Sequence, residues 1–336
     1  MTRARAHLGG RLGALALLTV LVVGAAAVVS RLGHSEPGAA HSASAAAHTA
    51  RVPGEGSTRG STPDPRRSLP VHLVAPLQVS PPAHASASWT TVARVHGQPA
   101  AWLAQRPGIT LMRFEEGPLR LDLHAGSSDG GVAGWKYGDQ ITPSEIHHVV
   151  AAFNGGFKLS YHDVGFMSGG HVAVPLKPGL ASIVTYTDGT TDIGAWGEGV
   201  PSAHAKVFSV LQNQQLLVDH GAVAATAAGC VIACWGGTVA GRESVPRSGL
   251  GVTAGGQLVW AAGERLLPAE LGAALVLAGA VRAIELDINP FWVAGYLYVH
   301  HRSGPSAVPV VPGQRGIAGE LLEPYSRDFL TIVATG

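Results

Sequence analysis

Short apolar runs separated by turn residues dominate the chain after residue 70. They include TVARVHGQPAAWLAQ, RLDLHAG, SIVTYTDGTTDIGAW, KVFSVLQNQQLLVDHGAV and GLGVTAGGQLVWAAG. Each of the last three brackets a tight turn rich in Asp, His or Gly, the pattern of a β-hairpin. Helical signals are fewer. Thr142-Pro143-Ser144-Glu145 places a capping residue before Pro at the first helical position and Glu at the third, which predicts the start of a short helix. Pro268-Ala269-Glu270 predicts a second helix through LGAALVLAGA, stopping near Gly279, with Leu271, Ala274, Leu275 and Leu277 as packing positions. There is no repeat at a fixed period. Many hairpins with two or three helices predict an α+β fold: a single domain over 71–336 built on a central mixed or antiparallel sheet.

One apolar run breaks its own pattern. In IELDINPFW, Ile284, Leu286 and Ile288 share one face of the predicted strand, while Glu285, Asp287 and Asn289 share the other. Same-face neighbours lie about 6–7 Å apart. An acid on the covered face of a strand is costly unless it is paired or hydrogen-bonded. Adjacent carboxyls also push each other's proton affinities apart, leaving one acid and one base. The pair therefore predicts a site for glycoside or phosphoester cleavage. A salt bridge to an arginine such as Arg247, or a Ca²⁺ site built on Asp287, would also account for it.

Three further stretches carry polar groups into apolar surroundings. VVAAFNGGFK puts Asn154 at the end of a strand, just before Gly155-Gly156, where the backbone can bend or approach a ligand closely. Asn154 could equally cap that turn with its own amide. HDVGFMSGG follows, with Asp163. Gln212, Asn213 and Gln214 interrupt the strand of SVLQNQQLLVDHG, and Arg247 stands at the start of a hairpin strand in VPRSGLGVT. There an Arg offers its fork of donors to an anion, or is simply a surface residue.

Composition narrows the field. With 46% hydrophobic and 13% charged residues among 336, the chain can bury a sizeable core, and 45 Gly and 22 Pro fit a turn-rich fold. A net charge of +1 offers no basic field for nucleic acid. None of the 16 His falls into metal-ligand spacing, and neither metal nor cofactor is expected. At the N-terminus, Arg3, Arg5 and Arg11 precede an apolar run from Leu12 to Val29, followed by Arg31. Residues 1–33 are thus expected to be a signal peptide or a membrane signal-anchor, with the rest exported. The Ala/Ser/Pro/Gly-rich stretch 34–70 is expected to be a disordered linker. In an exported protein, Cys230 and Cys234 in GCVIACWGG are most simply a short-loop disulfide.

FNGGF, VGFMSGG, QNQQLLVDHG, RSGLGVTAGGQLVW and a helix leading to ELD occur here in that order. Together they resemble the phosphodiester glycosidase family over roughly residues 90–300. The resemblance implies an α+β fold with a central mixed sheet. It also implies cleavage between a sugar's anomeric carbon and a phosphodiester. Asn154, Gly155 and Gly156 match the family's NGG motif, Arg247 its motif arginine, and Asp287 the Asp of its Asp-Gly-Gly segment. The glycines after that Asp are replaced here by Ile288 and Asn289, with Pro290, Phe291 and Trp292 following. The expected activity is hydrolysis of phosphodiester-linked sugars in a cell-envelope polymer or exopolysaccharide. Asp287 or Glu285 would act as acid or base, with Asp163 competing for the second role. Asn154 and Asn289 would orient the sugar or a water, and Arg247 would hold the phosphate. Gly155, Gly156, Gln212, Asn213 and Trp292 complete the expected substrate contacts. The alternative is a non-catalytic envelope protein that grips a glycan or anionic polymer on the same fold, with Phe291 and Trp292 suited to sugar stacking.

Overall fold

In the computed structural model, which describes residues 88–128, 135–162, 164–236 and 241–335, the apolar runs become strands whose two faces enter different cores. β1 (Thr90–Val95), β2 (Gln98–Arg106), β3 (Ile109–Phe114) and β4 (Leu119–His124) come first, then β5 (Val149–Asn154). β6 (Phe166–Ser168), β7 (His171–Val174), β8 (Ala181–Tyr186), β9 (Thr191–Trp196), β10 (Gly199–Val200) and β11 (Val207–Gln212) follow. The remaining strands are β12 (Leu216–Asp219), β13 (Ala222–Val223), β14 (Val245–Thr253), β15 (Leu258–Leu266), β16 (Ala280–Glu285), β17 (Gly295–His301), β18 (Gly304–Pro309) and β19 (Phe329–Ala334). The helices are short: α1 (Leu159–His162), α2 (Thr226–Gly229), α3 (Val231–Trp235) and α4 (Pro268–Leu277).

A single central sheet was expected; among the described residues there are three. An eight-stranded sheet runs β1-β2-β3-β15-β14-β16-β12-β13, a six-stranded sheet β10-β9-β8-β11-β6-β7, and a five-stranded sheet β18-β17-β5-β19-β4. Strand pairs are antiparallel apart from β9–β10, which is parallel. The sheets meet in one core. Leu258, Trp260 and Ala262 of β15 enter it, with Phe153 of β5, Leu330 of β19 and Leu211 of β11. Val259 and Ala261 of β15 point the other way, into a second core under Leu271 and Leu275 of α4. A strand covered on both faces reads as a continuous apolar run, which explains LVWAA.

The helix at 268 forms as its sequence predicts. The Glu270 carboxylate accepts the Leu267 N–H at 2.8 Å, and Gly279, at φ 101°, ends the segment. The signal at 142 yields only successive turns through His148. Glu145 does accept the Thr142 N–H and hydroxyl, at 2.8 and 2.6 Å. It is also drawn into the core beside His124 Nε2, 3.1 Å away, and the chain enters β5 at once. The hairpin expected about the Asp219-His220-Gly221 turn forms, but the apolar run before it divides between two sheets. β11 joins the six-stranded sheet and β12 the eight-stranded one, and the tight turn at His220 links only β12 and β13. The hairpins β8–β9 and β14–β15 form as expected. Cys230 and Cys234 are disulfide-bonded. The expected anchor, 1–33, and linker, 34–70, lie outside the described residues. Among the described residues no helix is long and apolar enough to cross a membrane.

Candidate active site

Beyond the ends of β5 and β16, and just before β19, the chain forms an open cavity of about 500 Å³. Two sheets are stitched together beside it. Asn154, opposite Phe329 in the five-stranded sheet, donates through Nδ2 to Ser248 Oγ of β14 at 2.9 Å and to Gly155 O at 2.9 Å. The Asp287 N–H donates to Gly155 O at 3.1 Å, and the Leu286 N–H to Ser248 O at 2.9 Å. The carboxyl end of β16 is thereby fixed against the glycine turn after β5.

Asp287, 5% exposed, lines the cavity. Its Oδ1 accepts the N–H groups of Ile288 and Asn289 at 2.7 and 2.8 Å, and its Oδ2 accepts Arg327 Nη2 at 3.1 Å. Arg327 also donates to Gly156 O at 2.9 Å and lies 3.6 Å from Asp328 Oδ1. Its guanidinium stands 5.5 Å from the centre of the Trp292 ring, which packs edge-on against Tyr325. Asp328 Oδ2 accepts the Gly156 N–H at 2.8 Å. Lys158, Asn289, Trp292 and Ser326 share the cavity wall with Asp287 and Arg327. Among the described residues, two cationic side chains and one carboxylate thus line a single space.

Of the residues singled out from sequence, Asp287, Asn289 and Trp292 line this space. Asn154, Gly155 and Gly156 stand behind its wall as struts. Gly155 is needed for a close approach, but to Asp328 rather than to a ligand. Glu285 does not join Asp287. It is 1% exposed and paired with Arg247 Nη1 at 2.6 Å. Burial pushes its carboxyl up to about 8, against the opposing pull of Arg247. Arg247 cannot hold a phosphate where it lies. Fully buried, its guanidinium donates to Leu266 O, Trp235 O and Glu243 O as well as to Glu285. The salt bridge weighed for the acidic strand is therefore present, at Glu285, and of the expected acid pair only Asp287 reaches the cleft. Gln212 is buried with its amide on Lys177 N, Lys177 O and Ser182 Oγ. Asn213 donates to Glu285 O at 2.7 Å. Both amides pin backbone away from the cavity. Asp163 lies outside the described residues.

Sequence reasoning missed Arg327, Asp328, Ser248 and Lys158. Its one available signal for the first two was a charged pair directly before the apolar strand FLTIVA. Among the described residues no group of His, Cys, Asp and Glu is arranged to hold a metal ion.

No family model matches the chain, and no curated protein sequence matches it. Among solved structures it is similar to the catalytic domain of zebrafish N-acetylglucosamine-1-phosphodiester alpha-N-acetylglucosaminidase, auto-inhibited by its pro-peptide. The identity is 12% and the TM-score 0.44, over 75% of this chain and 82% of that one. It is also similar to a hypothetical protein from Synechocystis, at 11% identity and TM-score 0.41, over 71% of this chain and 63% of that one.

Proposed function

We propose that the protein hydrolyses phosphodiester-linked sugars, cutting the bond between the anomeric carbon and the phosphate oxygen. The observation that carries this reading is a carboxylate, Asp287, paired with Arg327 in a cavity that Lys158 also lines. A glycosidase that expels an alcohol needs a second carboxyl to protonate the leaving oxygen. A phosphate leaving group is weakly basic and departs unprotonated, so one carboxylate suffices and the remaining need is positive charge. Asp287 takes a proton from a water as the water oxygen bonds to the anomeric carbon. The carbon–oxygen bond to phosphate breaks, and the phosphomonoester leaves with the bond's electrons toward Lys158 and Arg327. Trp292 gives the sugar ring an apolar wall. The substrate class is a phosphate-containing glycan of the cell envelope or an exopolysaccharide, met outside the cell by an exported chain tethered through its N-terminal segment.

One observation favours a second reading, a glycan-binding protein that does not cut. Arg327 is already engaged by Asp287, Asp328 and Gly156 O. A chromogenic sugar-1-phosphodiester separates the two. The full-length protein in detergent should release sugar, and Asp287→Asn should lower kcat by about 10²–10⁴-fold with little change in KM. Lys158→Ala should chiefly raise KM. Binding without release by the wild type would move the assignment to the second reading.

A further inference from the structure

Two consecutive aromatic residues beside the cavity face different surroundings. Trp292 lines the cavity, whereas Phe291 is 58% exposed. The loop that presents this ring to solvent is held by its own hydrogen bonds. Asn289 Oδ1 accepts the Phe291 N–H at 3.0 Å, and Asn289 O accepts the N–H groups of Trp292 and Val293 at 2.9 and 3.0 Å. Phe291 is also held from one side. The Arg315 guanidinium lies 4.6 Å from the centre of its ring, and Arg315 is itself exposed, within charge reach of Glu264 on β15. The result is an aromatic ring with a fork of donors over one face and the rest of its surface open to solvent. It stands one residue step, about 3.8 Å between Cα atoms, from the ring that walls the cavity.

We propose that Phe291 and Arg315 form an outer subsite for the next sugar unit of a phosphate-linked glycan chain whose scissile end occupies the cavity. The pyranose ring packs on the exposed part of Phe291, and Arg315 donates to its hydroxyls or to the adjoining phosphate. Weakly polar ring faces and aromatic surfaces associate through burial of apolar area, while a guanidinium fork suits paired oxygens. This inference rests on the proposed cleavage of phosphodiester-linked sugars and adds that the natural substrate is a chain, not a single capped sugar.

The test compares the full-length wild type with Phe291→Ala, Phe291→Tyr and Arg315→Ala. The substrates are a short chromogenic sugar-1-phosphodiester and an oligosaccharide of several phosphate-linked units. Phe291→Ala should raise KM for the oligosaccharide about tenfold, which corresponds to about 1.4 kcal/mol, and leave both constants for the short substrate unchanged. Phe291→Tyr should restore the wild-type value, and Arg315→Ala should fall between. Equal KM values for wild type and Phe291→Ala on the oligosaccharide would overturn the subsite. So would an equal loss on both substrates, which would place Phe291 in service of the cavity. If the wild type cleaves neither substrate, the hydrolase reading fails, and titration calorimetry with the oligosaccharide decides the subsite by itself. A tenfold loss of affinity in Phe291→Ala, recovered in Phe291→Tyr, sustains it; unchanged or absent binding overturns it.

Discussion

At Gly155 an added Cβ would collide with the carboxylate of Asp328 and stand 2.8 Å from its backbone oxygen. That oxygen accepts the Gly155 N–H and belongs to the residue leading into β19, so it has no room to retreat. Gly155→Ala should therefore destabilise the fold by about 1–3 kcal/mol and disturb Arg327, which depends on the same turn. At Gly156 the nearest atom to an added Cβ is the tip of Leu211, 3.3 Å away, and a side-chain tip can give. Urea denaturation of the two variants should rank Gly155→Ala well below Gly156→Ala. The NGG motif was legible in the sequence as a backbone requirement. What it had to accommodate was not, because Asp328 lies far along the chain.

The acidic strand illustrates the element scale. Alternation placed Glu285 and Asp287 on one face, and both were expected at the cleft. β16 ends at Glu285, and the chain turns there into a loop. Glu285 remains inside the sheet and meets Arg247, while Asp287 is carried out to the cavity. Arg247 in turn joins the end of β15, the end of α3 and the loop before β14 to β16 through its bonds to Leu266 O, Trp235 O, Glu243 O and Glu285. Removing one partner strands a buried charge, so Arg247→Met or Glu285→Leu alone should cost about 3–5 kcal/mol. The double variant Arg247→Met/Glu285→Leu removes both charges and should recover much of that loss. A double-mutant cycle in guanidinium chloride gives the coupling. Additive losses would show that the pair does not act as a unit. The helix at 268 was legible because its cap, period and stop are all local. The split between β11 and β12 was not, because it depends on Asn213 reaching the backbone of Glu285.

For the whole molecule, the packing of the five-stranded sheet makes stability depend on acid. Glu145 is 1% exposed, between β4 and β19, with His124 and Thr331 as neighbours on Oε1. Burial raises its carboxyl, but hydrogen bonds and charge from His124 and the donors of Thr142 outweigh burial and hold it at about 2, below its ordinary 4.5. A carboxyl depressed in the folded state stabilises that state above its unfolded value and loses the effect as the proton binds. The contribution, on the order of 3 kcal/mol, should be whole above about pH 4.5 and gone below about pH 2. Denaturation midpoints measured across that range should fall for the wild type and fall less steeply for Glu145→Gln. Equal slopes would show that this buried carboxyl does not set the acid limit.

The sequence by itself determined what depends on near neighbours: hairpins at Gly-containing turns, the capped helix at 268 and the disulfide. Each rests on spacing along a few residues, where backbone geometry and side-chain period leave few choices. The tertiary structure decided which polar residues work and which support. Arg247, Gln212 and Asn213 look like ligand-binding groups in a linear pattern, yet sheet packing buries them against backbone carbonyls and carboxyls that compete for their donors. Arg327 and Lys158 lie 169 positions apart by their numbering, and line the same cavity because β5 and β19 pair edge to edge. No local period encodes that meeting; it is set by the pairing of strands distant in the chain.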